Sequence, residues 1–414
     1  MTAPARAFLR KGNPRTLIAA FLYFDGSFMV WMLLGALGNM IAADLGLTGT
    51  QKGLMTALPV LSGALLRLLL GAAADRFGSR RVGLIALCLT LVPLAIGWLL
   101  ADRLAFIYLV GLLLGVAGAS FAVALPLASR WYPPERQGLV LGIAGAGNSG
   151  TVLAALFAPR LAEAFGWQAV FGLAMLPTAT VLVLFALLAK DSPARVAPPR
   201  LQDYAAVLRQ ADALWFCLLY SVTFGGFVGL ASYLAIFFHD QYGLSKVAAG
   251  DLTAACVFAG SFARPLGGLL ADRLGGLRVL PILFTLISSG ILLVSSEPSV
   301  AVTGGLFLAS MACLGMGNGA VFQLVPQRFR HELGIATGMI GAAGGLGGFA
   351  LPFLLGFVRD LTGSYAPGLL LFAATALAGA ALLVAMQRSW RMSWAGAGDL
   401  SVAPVLIQDS HGGS

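Results

Sequence analysis

A chain of 414 residues that is 59% hydrophobic and only 10% charged, with a mean hydropathy of +0.89, is not a soluble globule: a soluble domain needs roughly a quarter of its residues charged to cover its surface. The bilayer must be its solvent. The net charge of +9 would suit nucleic acid only if it were clustered on one face, and the loop distribution given below excludes that.

The opening, Met1 to Arg15, is basic, and the apolar run behind it is too long for a signal-peptide core and lacks a small-residue cleavage site. Apolar runs of about 20 residues, each long enough to cross the hydrocarbon as a helix, then recur to the end. They predict twelve spans at 16–42, 52–74, 81–101, 105–129, 138–161, 167–189, 213–238, 247–271, 278–296, 300–325, 334–358 and 366–387. The expected fold class is all-α, with a six-helix bundle at 16–189, a linking loop at 190–212, a second bundle at 213–387 and a polar tail at 388–414. Of the Lys and Arg residues, 19 fall in loops on one side, among them Arg76, Arg80, Arg81, Arg130, Lys190 and Arg278, and 5 on the other. By the positive-inside rule the richer side is cytoplasmic, which puts both termini there and the protein in a bacterial inner membrane. Cys88, Cys217, Cys256 and Cys313 lie singly in apolar runs, and His239, His331 and His411 in loops or the tail. No disulfide framework, metal site, catalytic cluster or cofactor is expected.

The two halves repeat. Gly71-Ala-Ala-Ala-Asp75-Arg76-Phe77-Gly78 follows the second span, and Gly268-Leu-Leu-Ala-Asp272-Arg273-Leu274-Gly275 follows the eighth, 197 residues later. Such an offset implies two bundles related by an axis along the membrane normal. The element resembles the cytoplasmic loop motif of the major facilitator superfamily over essentially the whole chain. In this reading the turns, with Asp75, Arg76, Asp272 and Arg273, latch the halves on the cytoplasmic face and release them.

Two arginines, Arg67 and Arg264, lie inside spans at the same 197-residue offset, each 8 residues before the Asp of its motif. At 1.5 Å per residue they sit about 12 Å into the helix, beyond the reach of snorkelling. A charge there costs at least roughly 2.5–3.5 kcal/mol. Asp25 is the one acid well inside a span, so two cations face at most one anion and the cavity is positive. The flat, five-donor guanidinium fork suits a small, planar, weakly hydrated oxyanion. Asp25 has two open readings: a fixed counter-ion for one arginine, or a group for proton coupling.

The fifth span carries Gly142, Gly145, Gly147, Asn148 and Gly150, and the eleventh carries Gly338, Gly341, Gly344, Gly345, Gly347 and Gly348. Glycines three and four apart make bare helix faces on which a neighbour packs closely and slides. Occurrence in both halves, on helices expected to face each other, suggests gating. The stretches resemble the paired glycine-rich signatures of the nitrate/nitrite porter family (NarK/NasA type), and Phe24-Asp25 through Trp31 resembles its bacterial assimilatory branch. The resemblance implies that Arg67 and Arg264 hold nitrate or nitrite, that Asn148 hydrogen-bonds it, and that Phe121, Tyr220 and Phe224 form an aromatic cage. It implies gating by Gly145, Gly147, Gly150, Gly341, Gly344, Gly345 and Gly348. Transport would proceed by alternating access, as nitrate/nitrite exchange or proton symport, in a monomer embedded in lipid. A porter for another small anion such as formate, oxalate or phosphate is the alternative, because the arginines would serve it equally.

Overall fold

The computed structural model describes residues 12–193, 206–207, 209–329 and 333–395. The basic opening up to Lys11, His331, His411, part of the linking loop and the tail beyond 395 lie outside the described residues. Every described element is helical. The first segment, α1, runs in three pieces, Pro14–Trp31, Leu33–Ala36 and Gly38–Leu45. It is followed by α2 (Gly49–Phe77), α3 (Ser79–Leu99), α4 (Leu104–Gly118 and Phe121–Ser129) and α5 (Pro134–Gly145 and Gly150–Phe165, joined by a 3₁₀ turn Ala146–Ser149). Then come α6 (Trp167–Leu188), α7 (Ala211–Tyr242), α8 (Lys246–Leu274), α9 (Gly276–Val294), α10 (Val300–Arg328), α11 (Leu333–Thr362) and α12 (Ala366–Ala395). Eleven of these twelve segments contain a helix long and apolar enough to cross a membrane, and α1 falls short because it is broken. Leu65, Leu69, Ile85, Leu89, Val183, Leu187, Ile282 and Leu286 are all half or more exposed, as the lipid-facing side of such a bundle requires.

Four breaks depart from the uninterrupted spans expected. Two interrupt α1, at Met32 and Leu37, one interrupts α4 at Ala119 and Ser120, and the fourth is the 3₁₀ turn of α5. The α1 breaks follow from packing. A Cβ on Gly35 would lie 2.4 Å from the Ser232 carbonyl of α7, so the chain bends to let two backbones meet. At the other end of the chain, α12 continues as helix to Ala395, into residues assigned to the tail.

Within the first six segments α2 packs on α4 and α3 on α6; within the last six, α8 packs on α10 and α9 on α12. The two copies of the loop motif form the same turn. Gly78 (φ 92°) and Gly275 (φ 89°) each end one helix and start the next, a backbone conformation that costs glycine nothing. Asp75 does not pair with Arg76: its carboxylate takes Arg130 at the end of α4, in the same half. Arg76 lies over its own neighbour Phe77, 5.4 Å from the ring. Asp272 and Arg273 are exposed. Among the described residues, the latch residues therefore make no bond between the halves.

Among the described residues, a set of contacts that does join the halves lies at the opposite end of the molecule. The Asp360 carboxylate of α11 caps α2, accepting from Gly49 N (2.8 Å), Thr50 N (2.7 Å) and Thr50 Oγ1 (2.6 Å). Asp240 of α7 accepts from Lys52 Nζ at 2.8 Å and from Tyr365 Oη at 3.2 Å. Arg160 of α5 grips Asp251 of α8 through both nitrogens at 2.6 and 2.8 Å. Asn39 Nδ2 donates to Ala235 O at 2.8 Å, fully buried. At the end of the Arg-rich loops, the ion pairs Arg130–Asp75 and Arg328–Asp212 each stay within one half. Among the described residues, the hydrogen bonds and ion pairs that fasten the halves at an end of the molecule all lie at this one end.

Removing the Asp360 cap leaves three donors of α2 without a partner on the other half, and losing a charged hydrogen bond is worth about 1.5–3 kcal/mol. Asp360→Ala is expected to shift the population toward separation of this end by roughly tenfold or more. Spin labels at Arg103 and Ser299 would report it as a new long-distance component. An unchanged distance distribution would show that these bonds do not hold the state.

Candidate functional site

The midplane of the bundle carries an aromatic box around two cations. Arg67 on α2 is 3% exposed. Its Nε donates to Gly118 O at 3.2 Å, at the break in α4, and its Nη1 donates to Gly341 O at 3.0 Å on α11. Gly341 meets nothing within 4 Å where a side chain would stand, which leaves its carbonyl open to the guanidinium. Arg264 on α8 is half-buried and its Nη2 donates to Tyr220 Oη at 3.4 Å. Neither arginine has a carboxylate partner among the described residues. One nitrogen on each fork, Arg67 Nη2 and Arg264 Nη1, is shielded and has no hydrogen-bond partner among the described residues.

Rings hold the forks in place. The Phe121 ring serves both, 5.7 Å from Arg67 Cζ and 5.9 Å from Arg264 Cζ. Trp31 and Phe224 also face Arg67, at 5.6 and 4.9 Å. Tyr220 stacks on Phe224 with centroids 5.0 Å apart and planes at 5°, as their four-residue spacing on α7 allows. A cation over an aromatic face gains about 0.5–2 kcal/mol, which offsets part of the burial of each charge and fixes its plane. The donors left over point to one chemistry: an anion with several oxygens, held between two planar forks.

The box thus brings together Arg67, Arg264, Phe121, Tyr220 and Phe224. Asn148 lies in the 3₁₀ turn of α5, which packs on α1 and α8; it is 2% exposed and its Oδ1 has no partner. Asp25 is not the counter-ion of either arginine. Its carboxylate accepts from Ser149 Oγ at 2.6 Å, where α1 and α5 meet.

The glycine faces divide. Gly147 and Gly150 lie against α1, and Gly345 and Gly348 against Ala64 and Val60 of α2, while Gly344 lies under Tyr220 and Phe224. Gly145 and Gly341 meet nothing, so they are not packing positions in this state. Nor do these faces pair with one another as expected: α5 packs on α1 and α8, and α11 on α2 and α7.

On α10, Phe322 joins the box and Asn318 stands one turn before it. Phe322 lies 5.9 Å from Arg264 Cζ and edge-on to Tyr220 at 4.9 Å. Asn318, one turn away, is 1% exposed with an unpartnered Oδ1. The repeat contained the signal for it, since Asn318 stands 197 residues after Phe121, the offset that relates the arginines. No sequence pattern marks Phe322.

Residues 17–352 match the family model described as Major Facilitator Superfamily. The chain is 38% identical over 368 residues to the nitrite extrusion protein of Bacillus subtilis (strain 168), covering 88% of this chain and 92% of that one. It is 35% identical to the probable nitrate/nitrite transporter NarK2 of Mycobacterium tuberculosis, over 89% and 95% of the two chains. It is 32% identical to the probable nitrate/nitrite antiporter NarK1 of Thermus thermophilus, over 86% and 88%. Among solved structures, a bacterial homolog of the human lysosomal transporter Spinster superposes with a TM-score of 0.69 at 17% identity, over 95% and 99% of the two chains. The human organic anion transporter MFSD10 superposes at 0.70.

A site built this way should be stabilised by its own ligand. At about 100 times its Kd, a planar oxyanion should stabilise the wild type by about 2.7 kcal/mol, read as a rise in the thermal unfolding midpoint. Arg67→Gln and Arg264→Gln should each abolish the rise. A rise that survives both changes would place the anion elsewhere.

Proposed function

Since this chain belongs to the major facilitator superfamily, on its nitrate/nitrite porter branch, we propose that the two-arginine box is its nitrate/nitrite site and that transport is an exchange of one anion for the other. The protein is a secondary active transporter. The observation that carries the assignment is the pair of guanidiniums from equivalent helices, one buried and one half-buried, flanking Phe121, each with an unpartnered nitrogen and no carboxylate within ion-pair distance among the described residues.

Alternating access follows from the same charges. With the site empty, two like charges in a low-dielectric interior oppose any movement that seals them together. A bound anion neutralises part of that charge, and closure then becomes favourable from either side. Return of the empty carrier is disfavoured, so inward movement of one anion is coupled to outward movement of another. Asn148, and Tyr220 through its hydroxyl bond to Arg264, fit as the groups that orient the anion. The glycine faces of α5 and α11 are the surfaces on which the halves re-pack, with the turns at Asp75 and Asp272 fastening the end that is now free.

The end carrying the Arg-rich loops is assigned to the cytoplasm by the positive-inside rule. With that orientation the Asp360, Asp240 and Arg160 contacts close the outer face, and the conformation faces inward. The chain is expected to work as a monomer in the bacterial inner membrane.

Labelled-nitrate uptake into proteoliposomes loaded with nitrite tests the reading. Uptake should require internal nitrite, and Arg264→Lys, which keeps the charge and removes the fork, should weaken it by roughly 10–100-fold. Uptake into empty vesicles driven by a pH gradient would replace exchange by symport. No nitrate uptake by the folded wild type would overturn the cargo.

A further inference from the structure

We infer that Asp25 is a positioning residue for the anion site: its carboxylate fastens the 3₁₀ turn of α5 that presents Asn148. An acid near the middle of a membrane helix needs a partner, and the arginines do not supply it. The partner is the turn. Ser149 Oγ donates to Asp25 Oδ1 at 2.6 Å.

The approach that makes this possible is written into the two glycines on either side of Asn148 and Ser149. A Cβ on Gly150 would lie 1.9 Å from the Asp25 carbonyl oxygen, and one on Gly147 would lie 2.7 Å from the Phe24 ring and 3.0 Å from the Asp25 amide nitrogen. Only bare backbone lets α1 come close enough for a side chain as short as aspartate to reach α5. On the far side of the turn, Thr151 Oγ1 donates to Asn148 O at 2.7 Å. The segment is thus held from both ends while the Asn148 amide oxygen has no protein partner.

Holding it matters because a 3₁₀ turn is the tighter and weaker of the two helical forms. It turns 120° per residue against 100° in an α-helix, so relaxation of Ala146–Ser149 to α geometry would rotate its end by about 80° and shorten it by about 2 Å. Asn148 would leave its place beside α8. The hydrogen-bonded carboxylate of Asp25 holds the turn in the form that keeps the amide aimed.

The inference rests on the reading of Asn148 as an anion ligand, and its test separates the two. Asp25→Ala removes the acceptor, Ser149→Ala removes the donor, and Asp25→Asn keeps an acceptor oxygen without the charge. Nitrate/nitrite exchange should show a KM about tenfold higher in Asp25→Ala and Ser149→Ala with little change in maximal rate, and Asp25→Asn should restore most of it. Hydrogen–deuterium exchange across 146–149 should rise in the two alanine variants and return toward wild type in Asp25→Asn. That second readout needs no cargo, so it judges the fastening even if nitrate were not the substrate. If Asp25→Ala fails to fold, Ser149→Ala carries both measurements. A wild-type KM in Ser149→Ala would overturn the proposal. So would an Asp25→Asn variant that keeps its KM but loses uptake driven by a pH gradient, which would make Asp25 a proton carrier.

Discussion

Two like charges held deep in an apolar bundle, with no counter-ion among the described residues, set the terms for the rest of this molecule. Each guanidinium costs several kcal/mol to place there, and the surroundings return only part of it, through carbonyls at Gly118 and Gly341 and through the faces of Trp31, Phe121, Phe224 and Phe322. A fully compensated pair would be a structural feature. An incompletely compensated pair is a site, because the missing interaction must come from outside. The aromatic lining suits that purpose, since it orients the cations without competing for the hydrogen bonds they have left over.

The breaks in the helices serve the same centre. Gly118 precedes the interruption of α4 and its carbonyl faces Arg67, while the turn at Ala146–Ser149 carries Asn148. Irregular backbone at membrane depth is tolerated where it is buried in protein or lines a cavity, and here it does both. Away from the site, breaks are replaced by backbone contact: Gly53 of α2 lies against the Pro352 carbonyl of α11, so the halves meet there with almost no side chain between them.

Much of this was legible in the sequence, for reasons that can be named. Composition alone required a bilayer, and one 197-residue offset revealed the duplication and the equivalence of Arg67 and Arg264. Depth came from counting residues along a helix of known rise. Partners did not follow from depth. Asp25 and Arg67 lie at similar levels, yet α1 turns the carboxylate toward Ser149, and only the packing of α1 on α5 decides that. Asp75 likewise goes to Arg130, 55 residues away, and no local pattern encodes it. Phe322 was missed because one phenylalanine among many in apolar helices carries no mark until three dimensions place it beside Tyr220.

The duplication has been spent unevenly. Arg67 is sealed at 3% exposure and tied to two carbonyls, whereas Arg264 is half-buried and tied only to a long contact with a tyrosine hydroxyl. Under the proposed function, an arriving anion would meet the two cations in order. Arg264 would be the encounter charge, whose field reaches solvent and would draw the ion inward at a rate that salt would slow. Arg67, already oriented and dry, would be the capture charge, whose hold would set the residence time. Duplication gave the protein two copies of one arginine, and on this reading burial divides between them the work of catching and of keeping.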